Sequence, residues 1–223
     1  MIYFIVTTSV YDNCSIKKKQ CFRGTNNIYD NYSIRKTQYI KGINKLKNVI
    51  QDLNIENYKI IIIENNGKRS TFLDSLDCEV YYTENNFMQT GNIGIIELQD
   101  ILDCINKYNI NDTDFIVKMT GRYILDDNSE FMNVIKNIHT TNYECVIKYG
   151  CYSKPVNYKT NNCVTGLIGM LCLYVKQIEI PNGYDSAEWK WAKVTNLIDD
   201  KKIYLVNNLG INICPGCNNY FKI

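Results

Sequence analysis

The sequence predicts an α/β protein built on a mainly parallel, twisted sheet with helices on both faces. Three observations carry this. Continuous apolar runs stand at residues 2–10, 58–64 and 114–119, as expected of strands buried on both sides. Between them, apolar residues recur at the spacing of amphipathic helices. The first half then reads strand, helix, strand, strand, helix, strand, an alternation that suits parallel pairing through crossover connections.

Each element has its own justification. Residues 2–10 (IYFIVTTSV) are apolar, β-branched and aromatic, and form a first buried strand. A polar loop is expected over residues 11–32. Ser33 is placed to cap a helix whose inner face carries Tyr39, Ile43, Leu46, Ile50 and Leu53. Residues 58–64 (YKIIIIE) form the second buried strand, closed by the turn signal Asn65, Asn66, Gly67. A short third strand covers residues 79–83. Thr90, Gly91 and Asn92 open a second helix with Leu98, Ile101, Leu102, Ile105 and Tyr108 along its stripe. The fourth strand is 114–119. A short helix from about Ser129 carries Phe131, Ile135 and Ile138. Strands are expected over 145–148, 164–175 and 203–206, with a helix over 186–198. The second half is more mixed and richer in strands. No repeat, low-complexity linker or Pro/Gly-rich boundary interrupts the chain, so one domain over residues 1–223 is expected.

Composition removes several function classes. A chain of 223 residues with 45% hydrophobic content can bury a full core. The formal charge of +2 argues against nucleic acid as a partner, and the run Lys17, Lys18, Lys19 reads as a solvated loop. No apolar stretch approaches the ~18 residues of a transmembrane helix, and no signal peptide is recognisable, so a cytoplasmic protein is expected (host cytoplasm for a viral protein). The 10 cysteines then read as reduced thiols. Cys214 and Cys217 flank a Pro-Gly turn. Zinc there would need two further ligands, and a redox motif would need a following helix. His139 is the one histidine and stands beside no nucleophile motif, which argues against a Ser-His or Cys-His hydrolase.

The sequence concentrates its chemistry in Lys118, Met119, Thr120, Gly121, Arg122 and Tyr123. An apolar strand runs directly into two cations, a hydroxyl and a flexible backbone. In open α/β sheets, ligands lie beyond the carboxyl ends of strands. Alternation along the strand puts Lys118, Thr120 and Arg122 on one face. The segment resembles the Lys-x-Thr-Gly-Arg-Tyr stretch of small GT-A-type glycosyltransferases of bacterial surface polysaccharides and large DNA viruses.

That resemblance implies a GT-A layout, with a nucleotide-binding first half and a mixed, acceptor-binding second half. It implies a nucleotide diphosphate sugar as donor, UDP-linked by preference, and a glycan or other hydroxyl acceptor. It also implies a set of site residues. Thr7, Thr8, Arg35, Glu64 and Asn65 would meet the nucleoside and donor. Asn92, Gly94, Lys118, Thr120, Gly121 and Arg122 would meet the phosphates and donor sugar. Glycines beside a helix N-terminus suit anions, although neither a P-loop nor a dinucleotide fingerprint is present. Most GT-A enzymes hold Mn²⁺ or Mg²⁺ with an Asp-x-Asp motif, which this sequence lacks. Asp126 and Asp127 are then the nearest acidic pair for a metal, or a helix cap. Arg122 could instead pair with the diphosphate directly. Late in the chain, Glu188 and, second, Asp185 are the candidates for the base that deprotonates the acceptor, beside Trp189 and Trp191. Two alternatives stand beside this reading: a sugar nucleotidyltransferase, and a catalytically degenerate nucleotide- or glycan-binding scaffold.

Overall fold

The computed structural model describes residues 1–10, 28–88, 93–151, 154–180, 185–213 and 221–222. A seven-stranded sheet organises them, in the order β10-β6-β9-β4-β1-β2-β3. Strands β1 (Ile2–Thr8), β2 (Tyr58–Glu64), β3 (Glu79–Tyr82) and β4 (Phe115–Thr120) run parallel. Further along, β6 (Cys145–Ile147) pairs parallel with β10 (Ile203–Leu205). Strand β9 (Leu167–Leu171) lies between β4 and β6 and is antiparallel to both. The fold is thus the expected one, a mainly parallel twisted sheet with helices on both faces.

Both faces of β1 are covered, which explains its unbroken apolar run. Phe4 and Val6 join one core with helix α1 (Ile28–Asp52), through Tyr39, Ile43, Leu46 and Ile50. Ile5 joins the other with α2 (Ile93–Lys107), through Leu98, Ile101, Cys104 and Ile105. No helix of the described residues is long and apolar enough to cross a membrane.

Three boundaries differ from the sequence reading. Helix α1 begins at Ile28, and Ser33 lies exposed within it instead of capping it. The expected strand over 164–175 ends at Leu171, and α4 (Cys172–Val175) follows. The amides of Cys172 and Leu173 donate to Asp114 and Asp112 carbonyls, which turns the chain off the sheet. The late helix is α5 (Ala187–Val194), continued by a 3-10 turn at Thr195–Leu197.

Between β4 and β6 lie β5 (Ile124–Leu125) and α3 (Glu130–Lys136), the latter capped by Ser129, whose Oγ accepts from the Met132 amide. Two short pairings were not foreseen. Strand β5 joins β11 (Ile211–Ile213) and β12 (Phe221–Lys222), and β7 (Tyr149–Cys151) pairs with β8 (Lys154–Val156).

Candidate functional site

The carboxyl ends of β1, β2 and β4 lie side by side, with Thr8 opposite Glu64 and Thr7 opposite Thr120. Their side chains divide between the two faces of the sheet and form two polar clusters.

On the α1 face, Glu64 is 0% exposed. One oxygen accepts from the Val10 amide at 2.9 Å and lies 2.8 Å from the Thr8 hydroxyl. The other accepts from the Asn66 amide at 3.2 Å, Asn66 Nδ2 at 2.7 Å and the Arg69 guanidinium at 3.3 Å. Arg69 also donates to the carbonyls of Val10, Asn66 and Gly67. A buried carboxylate with this many donors is stable only because each pairs with it. Both Glu64 oxygens are engaged within the protein, and Glu64 fixes the chain leaving β1 to the turn leaving β2.

Beside this corner stands Tyr39, buried on α1, whose hydroxyl accepts from the Ser9 amide at 2.9 Å. Burial pushes its phenol pKa up, and the charges of Arg122 and Arg35 pull it back down.

The turn after β4, which carries Arg122, is tightly packed. The Gly121 amide donates to the Thr7 carbonyl at 3.0 Å and the Tyr123 amide to the Thr120 carbonyl at 3.0 Å. A Cβ on Gly121 would fall 3.0 Å from Val6 Cγ1 and 3.2 Å from the Thr7 carbonyl oxygen. On the other side, a Cβ on Gly42 of α1 would fall 2.7 Å from the Tyr123 carbonyl oxygen. The turn is thus pressed between β1 and α1. Strand β4 ends at Thr120, so Arg122 lies in the turn beyond it, where strand alternation no longer sets its face.

On the α2 face, Lys118 is only 1% exposed. Its ammonium reaches Glu97 at 2.9 Å, the Thr165 carbonyl at 2.6 Å and the Thr120 hydroxyl at 3.1 Å, which occupies its three donors. Glu97 also accepts from the Thr7 hydroxyl. Thr165 continues the chain, since its Oγ1 lies 3.5 Å from Glu188 Oε1. Ser186 donates to the other Glu188 oxygen, and the Cys163 thiol donates to the Glu188 carbonyl. One polar chain thus runs Thr7, Glu97, Lys118, Thr165, Glu188, from the end of β1 to the first turn of α5.

The other predicted residues are placed as follows. Asn65 is buried and donates to Asp100 at 3.0 Å; burial pushes the Asp100 carboxyl up to about 6. Gly94 stands in the first turn of α2, and Asn92 lies outside the described residues, as do Cys214 and Cys217. Asp185 pairs with Lys190 at 3.0 Å, away from the Lys118 chain. Trp191 is buried, whereas Trp189 is 55% exposed next to Glu188. Asp126 accepts from Asn212 Nδ2 at 2.7 Å, and Asp127 pairs with Lys45 on α1. The two carboxylates are held by different partners, and among the described residues no group of three or more His, Cys, Asp or Glu could hold a metal ion. The arrangement of Asp126 and Asp127 therefore does not fit a shared Mn²⁺ or Mg²⁺ site.

Sequence reading missed Glu97, Thr165, Tyr39 and Arg69. A signal existed for Glu97: a lysine inside an apolar strand calls for a carboxylate partner. Thr165 carried none, because it arrives from the start of the antiparallel strand β9.

In sequence the chain matches no family model and no curated protein. Solved structures share its fold. Staphylococcus aureus TarS aligns with a TM-score of 0.53 and 11% identity, over 94% of this chain and 36% of that one. A glycosyltransferase involved in glycosylation of the major capsid of PBCV-1 aligns with a TM-score of 0.48 and 8% identity, over 92% and 81%. The Pyrobaculum calidifontis mannosyltransferase PcManGT, in complex with GDP-Man and Mn²⁺, gives 0.49 and 10%, over 93% and 55%. At this identity the likeness to TarS is one of fold.

Proposed function

We propose that the protein is a glycosyltransferase, with residues 1–223 acting as one domain. It moves a sugar from a nucleotide diphosphate sugar, with a UDP-linked donor the first to try, to a hydroxyl of a glycan or other acceptor. One observation above all supports this reading. At the carboxyl ends of β1, β2 and β4, a buried carboxylate corner at Glu64 stands beside a polar chain that runs from Thr7 through Glu97 and Lys118 to Thr165 and Glu188.

In this reading Thr7, Thr8 and Asn65 line the nucleoside wall, and the Glu64 corner keeps that wall in shape. Arg122 and Arg35 meet the diphosphate, assisted by Thr120, Gly121, Asn92 and Gly94 around the phosphates and donor sugar. A guanidinium pairs bidentately with phosphate oxygens and keeps its charge at any working pH, so it can stabilise the leaving diphosphate. Lys118 holds Glu97 and the Thr165 loop in place. Glu188 takes the proton of the acceptor hydroxyl as that oxygen attacks the anomeric carbon and the bond to the diphosphate breaks. The exposed Trp189 ring offers a face to the acceptor sugar.

Thermal shift with nucleotide diphosphate sugars, with and without Mn²⁺ and with EDTA, tests the donor site. A shift that Arg122→Ala abolishes is expected. No shift with any such donor overturns the reading and favours the scaffold alternative, while dependence of the shift on Mn²⁺ reads out a metal requirement.

A further inference from the structure

At the margin of the sheet farthest from β3, α3 and β10 border an open groove of about 440 Å³. That lies within the usual ~300–1,000 Å³ of ligand sites. Two tyrosines form its wall. The rings of Tyr143 and Tyr204 meet edge to face, with centroids 5.2 Å apart, and both are partly exposed. The Tyr204 hydroxyl donates to Glu130 Oε1 at 3.2 Å, and the Asn208 amide donates to the other Glu130 oxygen at 3.2 Å. The rings and the carboxylate are therefore held in fixed positions. Asn133 and Asn137 also line the groove, four residues apart and both exposed, with Asn137 Nδ2 donating to the Asn133 carbonyl at 3.3 Å.

The chemistry of this lining is selective. Carboxamides both donate and accept, matching vicinal hydroxyls. Tyrosine rings offer apolar faces to the C–H faces of a sugar ring while their hydroxyls remain polar. Among the described residues no lysine, arginine or histidine lines the groove, and the one charged group is a carboxylate. Phosphates, nucleotides and acidic peptides are thereby disfavoured.

We infer that this groove binds a neutral carbohydrate chain, at a site separate from the strand ends that carry Arg122 and Lys118. The inference concerns binding only and does not rest on the proposed transfer chemistry.

The test is a titration of the full chain, labelled in its tyrosine rings, with neutral gluco-, manno- and N-acetylglucosamine oligosaccharides, followed by NMR. Saturable shifts of the Tyr143 and Tyr204 ring signals are expected with at least one of them, with Tyr143→Phe and Tyr204→Phe assigning the signals. Both positions of the double variant Asn133→Ala/Asn137→Ala are exposed, and circular dichroism checks that losing the Asn137 bond to the Asn133 carbonyl leaves the fold in place. This variant should weaken the binding by about tenfold or more, the equivalent of one or two lost hydrogen bonds. Arg122→Ala should leave the titration unchanged. Absence of any shift, shifts that survive in the double variant, or shifts with peptides but not with sugars overturn the inference. None of those results touches the nucleotide measurement, so the two readings fail separately.

Discussion

Replacing Lys118 by methionine tests whether the α2-face cluster is held together by its buried charge. Methionine keeps the length of the stem and removes the ammonium. Three acceptors then lose a donor: Glu97 at 2.9 Å, the Thr165 carbonyl at 2.6 Å and the Thr120 hydroxyl at 3.1 Å. Removing one partner of a buried pair costs about 3–5 kcal/mol, because the other charge is left unpaired. The Glu97 side chain is 26% exposed and can recover some hydration, which lowers the expectation to about 2–3 kcal/mol. For a chain of this length each kcal/mol moves Tm by roughly 2–4 °C, so a fall of about 5–10 °C is expected. Glu97→Gln keeps an oxygen for Thr7 and Lys118 but leaves the ammonium, whose side chain is 2% exposed, without a carboxylate, so it should cost at least as much. Combining the two removes the pair altogether. The double variant should therefore be less destabilised than the two single losses added, by about 1–3 kcal/mol. Urea denaturation of the four proteins, followed by circular dichroism, measures this cycle. Additive losses, or a Lys118→Met cost under about 0.5 kcal/mol, would refute the coupling.

Other consequences can be checked in the same preparations. Glu188→Gln should abolish sugar transfer and leave donor-induced thermal shifts intact; full transfer activity would remove it as the base. Gly42→Ala puts a methyl group 2.7 Å from the Tyr123 carbonyl oxygen and should cost about 1–3 kcal/mol as α1 and the turn separate, with donor binding weakened in parallel. Asp100 has a folded pKa raised to about 6 from 3.8 by burial, so its contribution to stability is fully present below pH 4 and is lost as pH rises through 6. The shift corresponds to up to about 3 kcal/mol, and Asp100→Asn should flatten the stability profile across that window. Parallel profiles for the two proteins would show that Asp100 does not titrate there.

Much of the scaffold was legible because burial leaves a local trace. Strands β1, β2 and β4 are continuous apolar runs since both faces are packed, and Tyr39, Ile43, Leu46 and Ile50 mark the inner face of α1. What escaped depends on distant partners. Nothing local in residues 164–175 says that they run antiparallel between β4 and β6 or bend at Leu171. The packing of the turn that carries Arg122 depends on Gly121 fitting against Val6 and Gly42 fitting against the turn. Asp126 and Asp127 look like a pair in sequence, yet neighbouring residues of a turn point in different directions, and Asn212 and Lys45 claim them separately. Polar residues at strand ends were legible in the sequence; their grouping was not, because the sheet sorts them onto opposite faces.

Strand β9 has a consequence for how such a protein can change. Because it runs against its neighbours, its beginning, not its end, reaches the edge where β1, β2 and β4 finish. Thr165 and Glu188 therefore come from segments that share no connection with the turns bearing Glu64 and Arg122. The two groups of residues are separately encoded stretches, and Lys118 bonds to Glu97 on one side and the Thr165 carbonyl on the other. Loops before β9 and around α5 can be exchanged or lengthened while the turns after β1, β2 and β4 stay fixed. Grafting those late segments between chains of this architecture would exchange one recognition surface and leave the other in place.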